Sequence, residues 1–153
     1  MQADGFRWWL TRVGTQLTLF DLLRIDHFRG FEAYWEIPAA ETTAVHGRWV
    51  NAPGDALFQV LQAHFDPLPL VAEDLGIITR EVTALRERYA LPGMCVLQFA
   101  FDGGADNPYP PHRHDRNSVV YTGTHDNDTT LAWFEGLTPE QQHRVGDYLG
   151  FPA

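Results

Sequence analysis

Three short acidic segments stand out, because each begins at or just after an apolar run and then turns to acid. They are Leu-Arg-Ile-Asp-His-Phe-Arg-Gly at 23–30, Val-Ala-Glu-Asp-Leu-Gly at 71–76 and Gly-Thr-His-Asp-Asn-Asp-Thr at 123–129. A buried parallel strand that delivers a side chain to the open end of a sheet or barrel has this form. Cleavage of a glycosidic bond needs a proton donor and an anion beside a developing oxocarbenium ion. The segments therefore indicate sugar chemistry, with Asp26, Glu73 and Asp126 as candidate carboxylates.

The first two carboxylates are expected to lie close together. Asp26 and Glu73 end successive predicted strands that one crossover connects, and neighbouring strands lie about 4.8 Å apart. Carboxyl groups placed in this way can be about 5–5.5 Å apart, which is the separation of a retaining glycosidase pair. Arg24, two residues before Asp26, points to the same face of the strand and would favour the ionised carboxylate that a nucleophile needs.

The third carboxylate is expected to approach the site from another side. Asp126 lies beyond one further predicted strand, and His125 directly precedes it. A carboxylate in that place could hold sugar hydroxyls and stabilise positive charge at the anomeric carbon. His125 could donate a hydrogen bond to a sugar hydroxyl.

Apolar periodicity predicts the elements that position these residues. Helices are predicted over about 3–21, 55–65 and 79–89 and from about 128 and 138, and strands over 22–26, 68–73, 94–101 and 119–122. Thr79 is the predicted N-cap of the third helix, and Thr138-Pro139-Glu140-Gln141 has the pattern of a capping box at the start of the last. In the helix after Thr79, Val82, Leu85 and Tyr89 are expected to face inward and Arg86 outward. Residues 27–54 are expected to be irregular. This alternation, without a hairpin signal, favours an α/β fold with a parallel sheet, and four strands are too few to close a barrel.

Composition excludes several function classes. The formal net charge of −9 argues against a nucleic-acid partner, and the absence of Lys excludes a Schiff-base or P-loop lysine. Cys95 is the only cysteine, so no intrachain disulfide can form, and we expect it to be a small apolar side chain on a strand. We find neither a signal peptide nor a long apolar span, so no membrane partner is expected and the predicted location is cytoplasmic.

Other interpretations of the polar residues remain open. A single acid at a strand end is commonly a helix N-cap or a turn former. The stretch His112-Arg113-His114-Asp115 could bind metal, although a solvated loop is favoured. A metal hydrolase that uses Asp26, His27, Glu73, His125 and Asp126 is conceivable, but these residues lack the spacing of zinc sites. We predict no metal.

The three motifs together resemble the 4-α-glucanotransferases, also called amylomaltases or disproportionating enzymes, of the α-amylase clan. The words Arg-Ile-Asp-His-Phe-Arg-Gly, Val-Ala-Glu-Asp-Leu-Gly and Gly-Thr-His-Asp-Asn-Asp-Thr carry the resemblance. Residues 5–9, 30–38, 47–54 and 94–101 are also similar to that family, so the likeness extends along essentially the whole chain. The chain departs from the family in length, because family members run to several hundred residues.

The resemblance implies a (β/α)₈ barrel of which residues 1–153 form roughly strands four to seven with their helices, without an internal domain boundary. It implies that Asp26 is the nucleophile, Glu73 the general acid/base and Asp126 the transition-state stabiliser. It further implies that Arg24 and His125 contact the bound sugar and that Phe99 lines the pocket. The implied reaction moves α-1,4-glucan segments between maltooligosaccharides, starch or glycogen chains by a retaining double displacement, without a cofactor.

The missing length has consequences under this resemblance. The chain is expected to be an internal fragment that is inactive or weak alone and self-associates through open strand edges. Two alternatives remain. In the first, the longer protein that contains this chain is another retaining enzyme of the clan, either a hydrolase or a branching enzyme. In the second, the chain is a non-catalytic glucan-binding fragment that keeps the aromatic loop 28–49.

Overall fold

The elements of the chain fall into two units, one ending at Gly93 and one beginning at Met94. The structure, a computed structural model, describes residues 1–102, 104 and 106–151. Helices and strands alternate along the chain, which confirms the predicted α/β class. The prediction of one domain without an internal boundary stays a prediction.

A pair of parallel strands organises the first unit. Its elements are α1 (Arg7–Leu17), β1 (Leu23–Ile25), β2 (Ala33–Glu36), β3 (Arg48–Asn51), α2 (Gly54–His64), β4 (Leu70–Ala72) and α3 (Arg80–Arg88). Strands β1 and β4 pair in parallel, with Leu23 opposite Leu70 and Ile25 opposite Ala72. Because the crossover between them contains α2, this pairing confirms the predicted strand–helix–strand unit.

Apolar side chains from all three helices form the core of this unit. Residues at helical spacing point inward because the apolar stripe of an amphipathic helix is most stable when water is excluded. The cluster also includes the two strands and the segment after β1. Its buried members are Phe6, Val13, Phe28, Leu57, Phe58, Leu61, Leu70, Ala72, Val82, Leu85, Tyr89 and Leu91.

The segment 27–54 is not irregular, contrary to prediction. It contains a 3₁₀ turn at Phe28–Phe31 and an antiparallel hairpin of β2 and β3. Trp35 lies opposite Trp49, with ring centroids 5.5 Å apart, and Arg48 Nε lies 2.7 Å from Glu36 Oε2. Cross-strand pairs of this kind stabilise a hairpin. The connection 37–47 is too long to show the tight-turn signal on which hairpin prediction depends.

A tyrosine joins α2 to the end of α3. The Tyr89 ring is buried, and its hydroxyl lies 2.7 Å from the carbonyl oxygen of Asp55 and 2.9 Å from Asp55 Oδ1. Arg88 donates to the same carboxylate at 2.7 Å. The hydrogen bonds from Arg88 and Tyr89 lower the pKa of Asp55. Burial, together with the hydrogen bond to Asp55 and its charge, raises the pKa of Tyr89 to about 12.

This environment predicts a loss of stability in alkali. The unfolded tyrosine loses its proton near pH 10, whereas the folded one keeps it to about pH 12. The contribution of Tyr89 is therefore complete below pH 10 and declines as the pH rises to about 12. In urea denaturation from pH 9 to 12, Tyr89→Phe should flatten this decline by at most about 2–3 kcal/mol. Tyr34→Phe, which removes an exposed hydroxyl on β2, should leave the slope unchanged. An equal slope in wild type and Tyr89→Phe would contradict the prediction.

The second unit is built around the strands β5 (Gly93–Val96) and β6 (Ser118–Tyr121), which form a two-stranded sheet. The helices α4 (Thr130–Gly136) and α5 (Pro139–Leu149) follow. Strand β5 is shorter than predicted, because residues Leu97–Phe101 turn into a 3₁₀ helix. The predicted capping box of α5 is confirmed: Thr138 accepts from the Gln141 N–H, and Gln141 accepts from the Thr138 N–H.

Helix α1 is also shorter than predicted, because Gly5 and Phe6 have positive φ angles of 66° and 58°. Two successive residues in the left-handed region cannot continue a right-handed helix. The N-cap predicted at Thr79 is confirmed, since its hydroxyl accepts from the Val82 N–H.

Among the described residues, none of the helices has the length and apolar character needed to cross a membrane.

Candidate active site

The structure places Asp26 and Glu73 side by side. Each is the residue that directly follows its strand, and the last paired residues, Ile25 and Ala72, are opposite each other. The Glu73 N–H donates to the Ile25 carbonyl at 2.9 Å, and the Phe28 N–H donates to the Glu73 carbonyl at 2.9 Å. Backbone hydrogen bonds between the two segments therefore continue beyond the ends of β1 and β4, where Asp26 and Glu73 lie. The prediction that they end neighbouring strands is confirmed.

Arg24 lies against the Asp26 carboxylate. Its Nη2 is 2.9 Å from Asp26 Oδ1, and the side chains are 27% and 61% exposed. Period-two alternation along β1 brings the two onto one face, as expected. The guanidinium partly neutralises and orients a carboxylate that remains open to a ligand.

Two backbone N–H groups hold the Glu73 carboxylate. Oε2 accepts from His27 at 2.6 Å, and Oε1 accepts from Leu75 at 2.9 Å. His27 has φ 50° and ψ 52°, a left-handed conformation that a residue other than glycine adopts only when its surroundings enforce it. The bond from His27 to Glu73 is one such restraint. Glu73 thus fixes the sharp turn that the chain makes directly after Asp26.

Side-chain packing anchors the segment beyond this turn. Phe28 is fully buried and packs against Phe31 and Phe58, with ring centroids 6.0 and 5.4 Å away. The Arg29 guanidinium lies 4.2 Å from the centroid of the Trp49 ring, within the range of a cation–π interaction. Asp26 is therefore followed by a well-packed segment rather than by a free loop.

A buried ion pair lies behind Glu73, and sequence reasoning did not find it. Arg86 Nε is 3.1 Å from Asp74 Oδ2, with the side chains only 10% and 14% exposed. Arg86 also donates to the Leu91 carbonyl at 3.2 Å. The expectation that Arg86 faces outward is wrong. The available signal was its position four residues after Val82, on the apolar stripe of α3.

Gly93 is needed beside this ion pair. A Cβ atom at this position would lie 2.7 Å from Asp74 Oδ2 and 2.9 Å from Oδ1. No side chain fits without displacing the carboxylate. Asp74 is therefore enclosed by Arg86 on one side and by the backbone at Gly93.

Asp126 and His125 belong to the second unit. His125 Nε2 lies 3.4 Å from Asp126 Oδ2, and both side chains are exposed, at 59% and 79%. Their loop is a closed turn in which the Thr124 N–H and hydroxyl both donate to Asn127 Oδ1 at 2.9 Å. The Asn127 N–H donates back to the Thr124 carbonyl at 3.1 Å. The pair is presented to solvent on a tight loop after β6.

Phe99 lies on the 3₁₀ helix after β5, not on the strand itself. Its ring is half-buried and makes an edge contact with Tyr109 at 5.4 Å between centroids. The Phe99 carbonyl accepts from Asn107 Nδ2 at 2.7 Å. This arrangement fixes the ring within the second unit, and its role at a sugar site stays a prediction.

Two histidines of the stretch 112–115 contact oxygen atoms of tyrosine residues. His112 Nδ1 is 2.8 Å from the Tyr148 hydroxyl, and His114 Nε2 is 2.6 Å from the Tyr109 carbonyl. Within residues 1–102, 104 and 106–151, no group of three or more His, Cys, Asp or Glu side chains is placed to hold a metal ion.

Comparison with known proteins identifies the family. A family model described as 4-alpha-glucanotransferase matches residues 1–152. The chain belongs to this family.

Relatives in the 4-alpha-glucanotransferase family agree with this assignment. The enzyme of Thermus thermophilus is 58% identical over 97% of the chain, and that of Synechocystis is 53% identical over 98%. The amylomaltase of Streptococcus agalactiae, solved in complex with acarbose, superposes with a TM-score of 0.91 and 38% identity over 99% of the chain. This chain spans 30% of the length of the Thermus thermophilus and Synechocystis relatives and 31% of the length of the Streptococcus agalactiae amylomaltase.

Proposed function

We propose that the whole protein is a 4-α-glucanotransferase that moves α-1,4-glucan segments between maltooligosaccharides, starch or glycogen chains. The observation that carries this proposal is the placement of Asp26 and Glu73 on paired parallel strands, with Arg24 against Asp26. Retaining glycosidic chemistry uses two adjacent carboxylates in this manner. The family match supports the choice of substrate.

The first displacement uses both carboxylates. Asp26 attacks the anomeric carbon while Glu73 gives its proton to the glycosidic oxygen, so the C–O bond breaks and a glucosyl ester forms on Asp26. Arg24 holds the attacking carboxylate in place. Each Glu73 oxygen accepts one backbone N–H, from His27 or Leu75, and keeps a second lone-pair site that can carry the transferred proton.

The second displacement reverses these roles. Glu73, now a carboxylate, accepts the proton of the 4-hydroxyl of an acceptor glucan, and the acceptor oxygen attacks the anomeric carbon. Asp26 leaves as a free carboxylate, and the α-1,4 bond is restored. Transfer prevails over hydrolysis when the acceptor excludes water from the ester.

We assign the remaining predicted residues to sugar binding. Asp126 stabilises the positive charge at the anomeric carbon, His125 donates to a sugar hydroxyl, and Phe99 lines the pocket. The exposure of the first two on a closed loop supports these roles, because both side chains are accessible to a ligand. No metal or organic cofactor takes part in the proposed steps.

We also propose that the chain forms strands four to seven of a (β/α)₈ barrel. Strands β1, β4, β5 and β6 then correspond to those four in order, and the β2–β3 hairpin is an insertion after the first. The superposition on about a third of an amylomaltase supports this arrangement. The isolated chain is expected to be inactive or weak and to self-associate through open strand edges. A cytoplasmic location agrees with glycogen or maltooligosaccharide substrates.

Product chromatography after incubation with maltotriose tests the proposal. The whole protein should give glucose together with chains longer than the substrate, and Glu73→Gln should remove both products. Shorter products alone would indicate a hydrolase, and α-1,6 links would indicate a branching enzyme. The isolated chain, run in parallel, shows whether these residues suffice for activity.

A further inference from the structure

One buried glutamine contacts both ends of the loop that carries His125 and Asp126. The Gln98 N–H donates to the Thr122 carbonyl at 3.3 Å, just before the loop. The Gln98 side-chain Nε2 donates to the Asp128 carbonyl at 2.9 Å, just after it. Gln98 is 5% exposed. A buried amide with this bond is costly to replace, because a lost partner leaves a polar group unsatisfied.

The loop backbone packs directly onto this amide. A Cβ atom at Gly123 would lie 2.8 Å from Gln98 Nε2 and 3.2 Å from Gln98 Cδ. Glycine at this position therefore allows the close approach. The bonds between Thr124 and Asn127 close the turn on itself, whereas Gln98 connects the turn to the 3₁₀ helix that follows β5.

We propose that Gln98 is a positioning residue for Asp126. This inference rests on the proposed function, in which Asp126 stabilises the transition state. A carboxylate with that role must be oriented before the charge develops. The exposed Asp126 side chain contacts His125 of the same loop, so its orientation depends on how that loop is held. Fixing both ends of the loop supplies this orientation.

Kinetics of the whole protein test the effect on catalysis. Gln98→Met keeps the length of the side chain and removes the donor. It should lower kcat for maltotriose transfer by about 10–100-fold, because small misplacements of reacting groups cost this much. KM should change by less than about 3-fold, since the lost interaction acts in the transition state. Gly123→Ala, which pushes the amide away, should have an effect in the same direction.

Gln142→Met is the matched control. Gln142 Nε2 donates to the Phe134 carbonyl at 2.9 Å, so the variant loses a bond of the same kind and length elsewhere in the second unit. Its kcat should remain within about 2-fold of wild type, as expected for an exposed hydrogen bond. Equal losses of kcat in the two glutamine variants would overturn the proposal.

Hydrogen exchange provides a readout independent of activity. The Asn127 amide, which donates to the Thr124 carbonyl, should exchange about 5-fold faster in Gln98→Met, as expected for the loss of one hydrogen bond. Gln142→Met should leave this rate unchanged. If the wild type transfers glucan and Gln98→Met has the same kcat, the positioning role of Gln98 is overturned and the proposed function stands. If wild type shows no transfer, the function fails, and unchanged Asn127 exchange would overturn the positioning role as well.

Discussion

Glu73→Gln is expected to slow glucan transfer from maltotriose by about 10²–10⁴-fold, the usual contribution of a general acid/base. The amide N–H groups of glutamine are far too weakly acidic to give a proton to the glycosidic oxygen. Its nitrogen also cannot accept, so one of the two bonds from His27 and Leu75 is lost. Initial rates of glucose release, measured with the whole protein, give the size of the loss.

A maltosyl fluoride donor separates the roles of the two carboxylates. Fluoride departs without protonation, so Glu73→Gln should still form the ester on Asp26 and should then stall, because no base activates the acceptor. The expected result is a burst of about one fluoride per enzyme and a glucan adduct by mass spectrometry. Asp26→Asn should show neither the burst nor the adduct. An adduct on Asp26→Asn would contradict the assignment of Asp26 as the nucleophile. The absence of an adduct on Glu73→Gln would contradict the assignment of Glu73 as the acid/base.

Asp74→Asn is expected to lower the free energy of unfolding by about 3–5 kcal/mol, the usual cost of leaving one member of a buried ion pair uncompensated. Arg86 would keep its charge at a site where the side chain is 10% exposed, and its remaining bond is to the Leu91 carbonyl. Urea denaturation measures the change.

Two further variants control for this loss. Glu36→Gln breaks an exposed ion pair of the same unit, in which Arg48 Nε lies 2.7 Å from the carboxylate, and it should cost at most about 1 kcal/mol. Asp74→Leu combined with Arg86→Leu removes both buried charges, and should be less destabilised than Asp74→Asn. A loss in Asp74→Asn as small as that in Glu36→Gln would show that the buried pair contributes little.

Sequence reasoning succeeded where local rules determine the outcome. The apolar runs before Asp26 and Glu73 predicted two strands, and the alternation of helices and strands predicted that these strands are parallel. Thr79 and Thr138 were recognisable as N-caps because the capping bonds reach only a few residues along the chain. The candidate carboxylates followed from their positions at the ends of these strands.

It failed where distant residues determine the outcome. The β2–β3 pairing joins residues across the connection 37–47, and no local turn signal marks it. Arg86 was assigned outward from its charge, because its partner Asp74 lies on a different element. Gln98 shows the same difficulty, because its side chain donates to the carbonyl of Asp128, 30 residues further along the chain.

The hydrogen bond from His27 to Glu73 connects the backbone beside Asp26 to the second candidate carboxylate. The donor belongs to the residue directly after Asp26, and the acceptor is the carboxylate assigned to proton transfer. Such a bond is stronger when its acceptor is charged. Under the proposed mechanism, the restraint on the left-handed turn beside Asp26 therefore becomes stronger when Glu73 gives up its proton and weaker when Glu73 regains it. The proposed mechanism thus couples the backbone conformation at His27 to the protonation of Glu73.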